Sequence, residues 1–599
     1  MPFMDLCFIR RSSARFYRRS SASRRFAVAA ILVAISLGAQ AQPGPSPPET
    51  PGGWTPKKLA TAKKYMVSAA HPLAVEAGLK VLDQGGNAID AMVATQLVLN
   101  LVQPNASGLG GGAFLLYHDA KAKTLHAYDA RETVPAGATP ELFLRPDGQP
   151  LSFMEARVGG RSVGVPGTPR LLEVAHLRHG KLAWAKLFQP AIDLAEKGFP
   201  MSAQLVKVVG EDKGLADEPA ARAYFFRADG QPKPAGTRLK NPEFAKTLRA
   251  IAAKGADAFY EGEIAKDLVA AVRSHANAGT LSVEDLAAYR VREVEPLCGS
   301  YRAAKLCGMP PSSSGGIAVL EILGILSRFD VPALRPDSAQ AVHLLTEAER
   351  LAFADRGRYV ADDRFVDVPV SGLVSAAYTA ERAKLIRPER SMGVAHAGTP
   401  PGATFAFADD PVDEVAGTTH ISIIDAEGNA VSLTSTIEAF FGSRVMVHGF
   451  LLNNELTDFN FLPVEESAAV ANSVAPGKRP RSSMAPFIVY DAKSGALDMA
   501  IGSPGGSLII GYVAKALVGV LDWNLDLQAA IDLPNRGSRN GPTEIEKGTE
   551  LESLAVTLKA MGHEVLAIEM TSGLQGIRRV SGGLEGGADP RREGVAKGR

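Results

Sequence analysis

The chain has 599 residues, 46% of them hydrophobic, enough to bury a large core in one layered unit or in several domains. Its 65 Lys and Arg nearly balance 64 Asp and Glu, a formal charge of +1, and no long basic run is present to grip phosphates. Those values argue against a nucleic-acid-binding protein.

The charge is unevenly spread. Residues 1–41 hold seven Arg and one Asp, so their removal takes the chain to −5. Arg24 and Arg25 precede an apolar stretch from Phe26 to Gly38 that ends in Ala39-Gln40-Ala41, a small-x-small cleavage pattern too short for a membrane span. Residues 1–41 therefore read as an export signal, either a Sec signal or, through Ser23-Arg24-Arg25, a twin-arginine one. The expected product is periplasmic or secreted and leaves the membrane with the signal. Residues 42–64, rich in Pro and Gly at their start, read as a leader.

From Met66 to about Ala380 the pattern is mainly helical. Apolar residues recur at helical spacing over 72–83, 87–102, 182–197 and 338–354, with Asn241-Pro242 and Ser282-x-x-Asp285 as helix starts. Short strands are expected at 113–117 and 124–129. In LCGSYRAAKLC a turn at Arg302-Ala303 places Cys298 opposite Cys307. A disulfide and two separate buried thiols both fit that placement, and no metal-ligand spacing accompanies the cysteines. Pro388 to Pro411 reads as an exposed connector. Beyond it the pattern turns to strands, with one hairpin about Glu427-Gly428 that sets Thr436 within a residue or so of Thr418. A second hairpin spans 486–502 about Ser494-Gly495 and leads into a helix over 507–521. Hairpins flanked by long helices point to stacked sheets with helices outside.

The chemistry concentrates in five polar strings: GTTH (417–420), TSTIE (434–438), NNELTDF (453–459), RPRSSM (479–484) and GSPGG (502–506). A threonine hydroxyl needs a base. If the chain is cut between Gly417 and Thr418, the freed α-amine of Thr418, with an unperturbed pKa of roughly 7.7–8.0, is that base. Gly505 and Gly506 lie where a strand gives way to a helix, a place for N–H groups that stabilise an oxyanion, or for a plain tight turn. Ser482 and Ser483 suit a carboxylate, Glu438, Glu455 and Asp458 suit an ammonium, and Arg131 suits a bidentate carboxylate contact. Each of these also has an ordinary structural reading, as does His420, which shares a strand face with Thr418. GLGGGAF (108–114) lacks the lysine of a phosphate loop and reads as close backbone packing.

These strings, with MPPSSSGG (309–316) and QGGNAIDAMVA (84–94), occur in the order and near the spacing of one family. From about Tyr65 to the closing GGADPRREG the chain resembles the γ-glutamyltranspeptidases (glutathione hydrolases), which are N-terminal-nucleophile enzymes made as one precursor. The resemblance implies an α+β, four-layer αββα sandwich built from fragments 65–417 and 418–599 that stay associated as a heterodimer. It implies Thr418 as nucleophile, Thr436 as its supporting hydroxyl, and Gly505 and Gly506 as the oxyanion hole. Arg131, Ser482 and Ser483 would hold the substrate α-carboxylate, and Glu438, Glu455 and Asp458 its ammonium. The implied substrates are glutathione and related γ-glutamyl amides with amino-acid or peptide acceptors, and the chemistry needs no cofactor or metal. A glutaryl or cephalosporin acylase of the same superfamily is the alternative. Glu438 stands where many members have Asn, and Thr457 replaces an Asp. Residues 459–475 contain no Tyr or Trp, so a partly uncovered pocket that admits water is expected.

Overall fold

The computed structural model describes residues 53–599 apart from 405–406, 411–416 and 466. The export signal and the start of the leader lie outside the described residues. In chain order the strands of the two large sheets are β1 (Ala60–Ala62), β2 (Met66–Ala69), β3 (Gly112–Asp119), β4 (Thr124–Ala130), β5 (Arg292–Val294), β6 (Leu297–Tyr301) and β7 (Ala304–Gly308). They continue with β8 (Thr418–Ile424), β9 (Ala430–Thr436), β10 (Phe487–Asp491), β11 (Leu497–Gly502), β12 (Gln575–Val580), β13 (Gly583–Ala588) and β14 (Val595–Gly598). The main helices are α1 (Pro72–Asp83), α2 (Ala88–Val102), α3 (Trp184–Lys197), α4 (Pro242–Lys254), α5 (Gly315–Leu326), α6 (Ala339–Tyr359) and α7 (Ile509–Leu521).

Both large sheets are seven-stranded and antiparallel throughout. The first has the order β14-β2-β8-β9-β3-β4-β5 and the second β1-β13-β12-β11-β10-β7-β6. The outer face of the first sheet (Val67, Leu115, Ile421, Ile423, Val431, Leu433) packs on α1 and α2, with α3 and α4 beyond them. The second sheet packs on α5, α6 and α7, and its core takes in Met66, Phe114 and Leu116 from the first sheet. The result is the four-layer αββα arrangement.

Local chemistry sets the helix ends. His71 and Asn87 cap α1 and α2, Asn87 in a reciprocal capping box with Asp90, and Pro72 and Pro242 stand at first helical positions. Every residue of α2 is buried, since it lies between sheet and outer helices. The second expected hairpin leads into α7 only after a short 3₁₀ turn over Gly506–Leu508. Residues 60–62 of the leader form the edge strand β1. Cys298 and Cys307 pair in register across β6 and β7 and are bonded, S–S 2.06 Å. The described part of the 388–411 connector has neither helix nor strand, but polar contacts pin it. Met392 donates its N–H to Glu347 at 2.7 Å, and Asp410, 2% exposed, accepts from Asn460 at 3.1 Å. Among the described residues no helix is long and apolar enough to cross a membrane.

Hydroxyls, rather than hydrocarbon, line part of the space between the sheets. Along β8 and β9 the residues alternate apolar and polar, yet all are buried. The polar set reaches across to backbone carbonyls of the second sheet: Ser68 to Gly587 at 2.9 Å, Ser422 to Gln575 at 3.1 Å and Ser432 to Ile501 at 3.1 Å. Buried hydroxyls need such partners, because an unmet one costs about 1–3 kcal/mol.

Candidate active site

Thr418 opens β8 and lies directly opposite Thr436, the last residue of β9. Three hydrogen bonds converge on the Thr436 hydroxyl. It accepts from the Thr418 hydroxyl at 3.3 Å and from the Glu438 N–H at 2.8 Å, and it donates to the Gly417 carbonyl at 2.9 Å. A hydroxyl has one donor and two acceptor sites, so Thr436 is saturated and every proton direction is fixed. The Thr418 proton points to Thr436, and the Thr436 proton points to the carbonyl just before Thr418.

Gly417 is required by space. A Cβ there would overlap the Glu438 carbonyl oxygen and lie 2.7 Å from the Ala439 carbonyl carbon and 2.9 Å from the Phe440 nitrogen. Glu438 itself has φ of 74°, a left-handed conformation that brings its N–H back to Thr436 and costs a non-glycine residue about 1–3 kcal/mol.

The GSPGG loop enters beside the same strand. A Cβ on Gly502 would run into the His420 ring, two residues along β8 from Thr418. From there β11 heads toward the Thr418 end, because Ile501 abuts Ser432 and Gly502 abuts His420. Gly505 (φ 138°) and Gly506 (φ 57°) adopt left-handed backbone, and a Cβ on Gly505 would lie 2.6 Å from the Tyr512 ring. They open the short 3₁₀ turn that leads into α7, near the helix end where the dipole favours negative charge.

His420 is a structural histidine. Its Nδ1 bonds Thr434 at 2.8 Å, its Nε2 bonds Ser422 at 3.0 Å, and complete burial pushes its pKa down to about 3. It stays neutral and does not touch Thr418.

The structure brings the predicted clamp residues together, in a different pairing from the one expected. Arg131, 1% exposed, directs its guanidinium at both Glu455 and Asp458 and also donates to the Pro480 and Arg481 carbonyls at 3.2 and 2.9 Å. The expected carboxylate ligand and two expected ammonium ligands thus form one ion cluster, as a lone buried guanidinium must find counter-charge. Glu455 and Asp458 sit on a single 3₁₀ turn, Glu455–Asp458. Asn454 ties this turn to Glu438 by donating to its carboxylate, and accepts the Ala439 N–H at 3.1 Å. Burial pushes the Glu455 carboxyl well up, with Arg131 opposing.

Ser482 and Ser483 are buried. Ser482 Oγ accepts the Met484 N–H at 3.1 Å, and Ser483 Oγ accepts from Arg356 at 2.8 Å. Arg356, which also donates to Ser314 at 2.9 Å, was not singled out in the sequence, because nothing marks it within the long helix α6. Glu132, beside Arg131 in YDARE, also escaped notice as a site residue. Where a partly uncovered pocket was expected along 459–475, the continuous chain buries the residues expected to line it. Thr418, Thr436, Glu438, Asp458 and Ser482 are each at most 4% exposed.

Comparison with known proteins identifies the family. The Gamma-glutamyltranspeptidase family model matches residues 74–599. The glutathione hydrolase proenzyme of Bacillus subtilis (strain 168) is 38% identical over 554 residues, covering 90% of this chain and 92% of the relative. The glutathione hydrolase proenzyme of Escherichia coli (strain K12) is 36% identical, covering 95% and 97%. Among solved structures, a cephalosporin acylase from Bacillus halodurans superposes with a TM-score of 0.80 at 28% identity, covering 92% of this chain and 99% of that one. With its αββα layers and that near-complete match, the chain is an enzyme of the gamma-glutamyltranspeptidase family.

Proposed function

We propose that this is an exported proenzyme that cuts itself between Gly417 and Thr418 and then hydrolyses or transfers γ-glutamyl groups from glutathione and related amides. The observation that carries the reading is the saturated Thr418–Thr436–Gly417 relay. When Thr418 Oγ1 attacks the Gly417 carbonyl carbon, the carbonyl electron pair moves onto oxygen. Thr436 gives that oxygen its proton and takes the Thr418 proton in exchange. On collapse the hydroxyl proton passes by way of Thr436 to the leaving nitrogen, the C–N bond breaks, the carbonyl reforms as an ester on Thr418 Oγ1 and the Thr418 α-amine is freed; water then hydrolyses the ester. One fragment then ends at Gly417 and the other is 418–599.

In the cut enzyme the Thr418 α-amine activates its own hydroxyl. The γ-amide carbonyl carbon takes the place vacated by Gly417, and its oxyanion rests on the Gly505 and Gly506 N–H groups, each such donor being worth about 2.7–4 kcal/mol of barrier. Arg131, Ser482 and Ser483 face the glutamyl carboxylate, and Glu438, Glu455 and Asp458 its ammonium. Fixing both ends orients the carbonyl for attack. The amine product leaves, and water or an amino-acid acceptor takes the acyl group.

Intact-mass measurement on purified protein tests this reading. Two fragments are expected, the smaller beginning at Thr418; an active protein that remains one chain refutes it. The acylase alternative is favoured by the full-length likeness to a protein described as a cephalosporin acylase and by 37% identity to the Acylase ACY 1 proenzyme of Pseudomonas sp. (strain SE83). A glutaryl group lacks the ammonium that three acids would hold. Side-by-side assay of γ-glutamyl and glutaryl chromogenic amides decides, and faster glutaryl turnover would favour the acylase.

A further inference from the structure

Glu132 follows Arg131 and is fully buried, yet its carboxylate oxygens meet no donor from another residue and face the Glu455 carboxyl. Oε2 of Glu455 is also without a donor. Space for Glu132 is made by two glycines. A Cβ on Gly112 would overlap its Oε2, and a Cβ on Gly164 would lie 2.8 Å from its Cβ. The Glu132 carboxyl meets that of Glu455, whose other oxygen is on Arg131.

Two ionised carboxylates offer each other only acceptors, and burying both with their oxygens unmet is doubly unfavourable. The charges facing this pair are Arg131, Asp458, Glu438 and the phenol of Tyr289, whose hydroxyl donates to the Arg131 carbonyl at 2.9 Å. The Arg131 guanidinium, already shared between Glu455 and Asp458, cannot also fully neutralise Glu132. A single proton between Glu132 and Glu455 satisfies the facing oxygens and lowers the excess charge. Burial accordingly holds the Glu132 carboxyl up at about 8.

We propose that Glu132 is a positioning residue that shares one proton with Glu455, and that docking of a substrate α-ammonium at the Glu455–Asp458 turn expels this proton to solvent. The proposal rests on reading this cluster as the clamp for the amino-acid end of the substrate. The arriving ammonium supplies the positive charge and the N–H donors that the proton had supplied, so one replaces the other. Glu132 thereby sets the charge of Glu455 without touching substrate, as in other paired carboxyls where like charges share a proton.

The test is calorimetric titration of the self-cleaved protein with L-glutamate, in buffers of differing ionisation enthalpy, from pH 6.5 to 8.5. The wild type is expected to release close to one proton at pH 7 and much less at pH 8.5, with affinity tightening about five- to tenfold from pH 6.5 to 7.5. Glu132→Gln is expected to bind with no proton release and an affinity flat across this range. A structural role alone would lower melting temperature and leave the proton count unchanged. Infrared difference spectra of the wild type give a readout independent of the variant's folding: a protonated-carboxyl band should vanish when L-glutamate binds. Binding with no proton release, or equal release from Glu132→Gln, overturns the proposal. Failure of the wild type to bind L-glutamate overturns the clamp reading itself.

Discussion

Replacing Gly417 with Ala isolates the geometry of self-cleavage without removing any reacting group. The added Cβ would overlap the Glu438 carbonyl oxygen and stand 2.7 Å from the Ala439 carbonyl carbon, where ordinary contact begins near 3.4 Å. The neighbours are backbone, so no side chain can swing aside. The Gly417 unit and the 438–440 segment must part by about 1 Å or more, the Glu438 oxygen being the nearest obstacle, an overpacking cost of about 1–3 kcal/mol. That shift acts on the 2.9 Å bond from Thr436 to the Gly417 carbonyl and on the 2.8 Å bond from the Glu438 N–H to Thr436. Misplacement of about 1 Å at a reacting centre costs about a hundredfold in rate, so self-cleavage of Gly417→Ala should slow by about ten- to a hundredfold. A time course of intact mass after synthesis, with Thr418→Ala as the uncut reference, measures it. Cleavage of Gly417→Ala at the wild-type rate would refute the claim that this packing sets the attack geometry.

Thr418→Ala should remain a single chain, whereas Thr418→Ser, which keeps the hydroxyl, should still cut; denaturing gels distinguish the two. Glu349, fully buried and accepting the Ser538 N–H at 2.7 Å, has its carboxyl pushed up by burial to about 8 from 4.5. The folded form therefore holds a proton across that interval which the unfolded chain has lost, so the contribution is full below about pH 4.5 and disappears as pH rises toward 8. Glu349→Gln escapes that loss, and its melting temperature relative to wild type should climb from pH 4.5 to 8 and then level off. The disulfide closes a short loop, sequence separation 9, for which chain entropy gives about 2–3 kcal/mol. The double replacement of Cys298 and Cys307 by Ser should lower the melting temperature by several degrees and leave turnover intact, because β6 is the far edge of its sheet.

Local signals were legible where one segment carries the whole message. Helix caps at Asn241 and Ser282, the hairpin placing Thr418 opposite Thr436, and the turn that aligns Cys298 with Cys307 all depend on residues a few positions apart. Contacts between distant segments were not. The alternation in β8 ordinarily signals one wet face. Here the polar face is buried because carbonyls of a second sheet, more than sixty residues away in the chain, receive its hydroxyls. Arg131 is separated from Glu455 by 324 positions, so its residue type advertised a carboxylate partner without saying whether that partner was substrate or protein. Glu132 was hidden for a similar reason: what distinguishes it is its unmet oxygens, and those exist only once Gly112 and Gly164 have closed around it.

The strand order decides whether scission at Gly417 can let the two polypeptides part. In the first sheet β2 is held between β14 and β8, and β9 lies against β3. In the second, β1 borders β13, and β10 borders β7. Every one of those neighbours comes from the opposite side of residue 417, so the segments before and after it are woven through both sheets. Parting them would strip main-chain ladders at each such seam and open both cores to water, which amounts to denaturation. A break at Gly417 would thus be chemically complete while the architecture stays whole, and the threonine it frees would remain fixed to its partner strand by the same ladder.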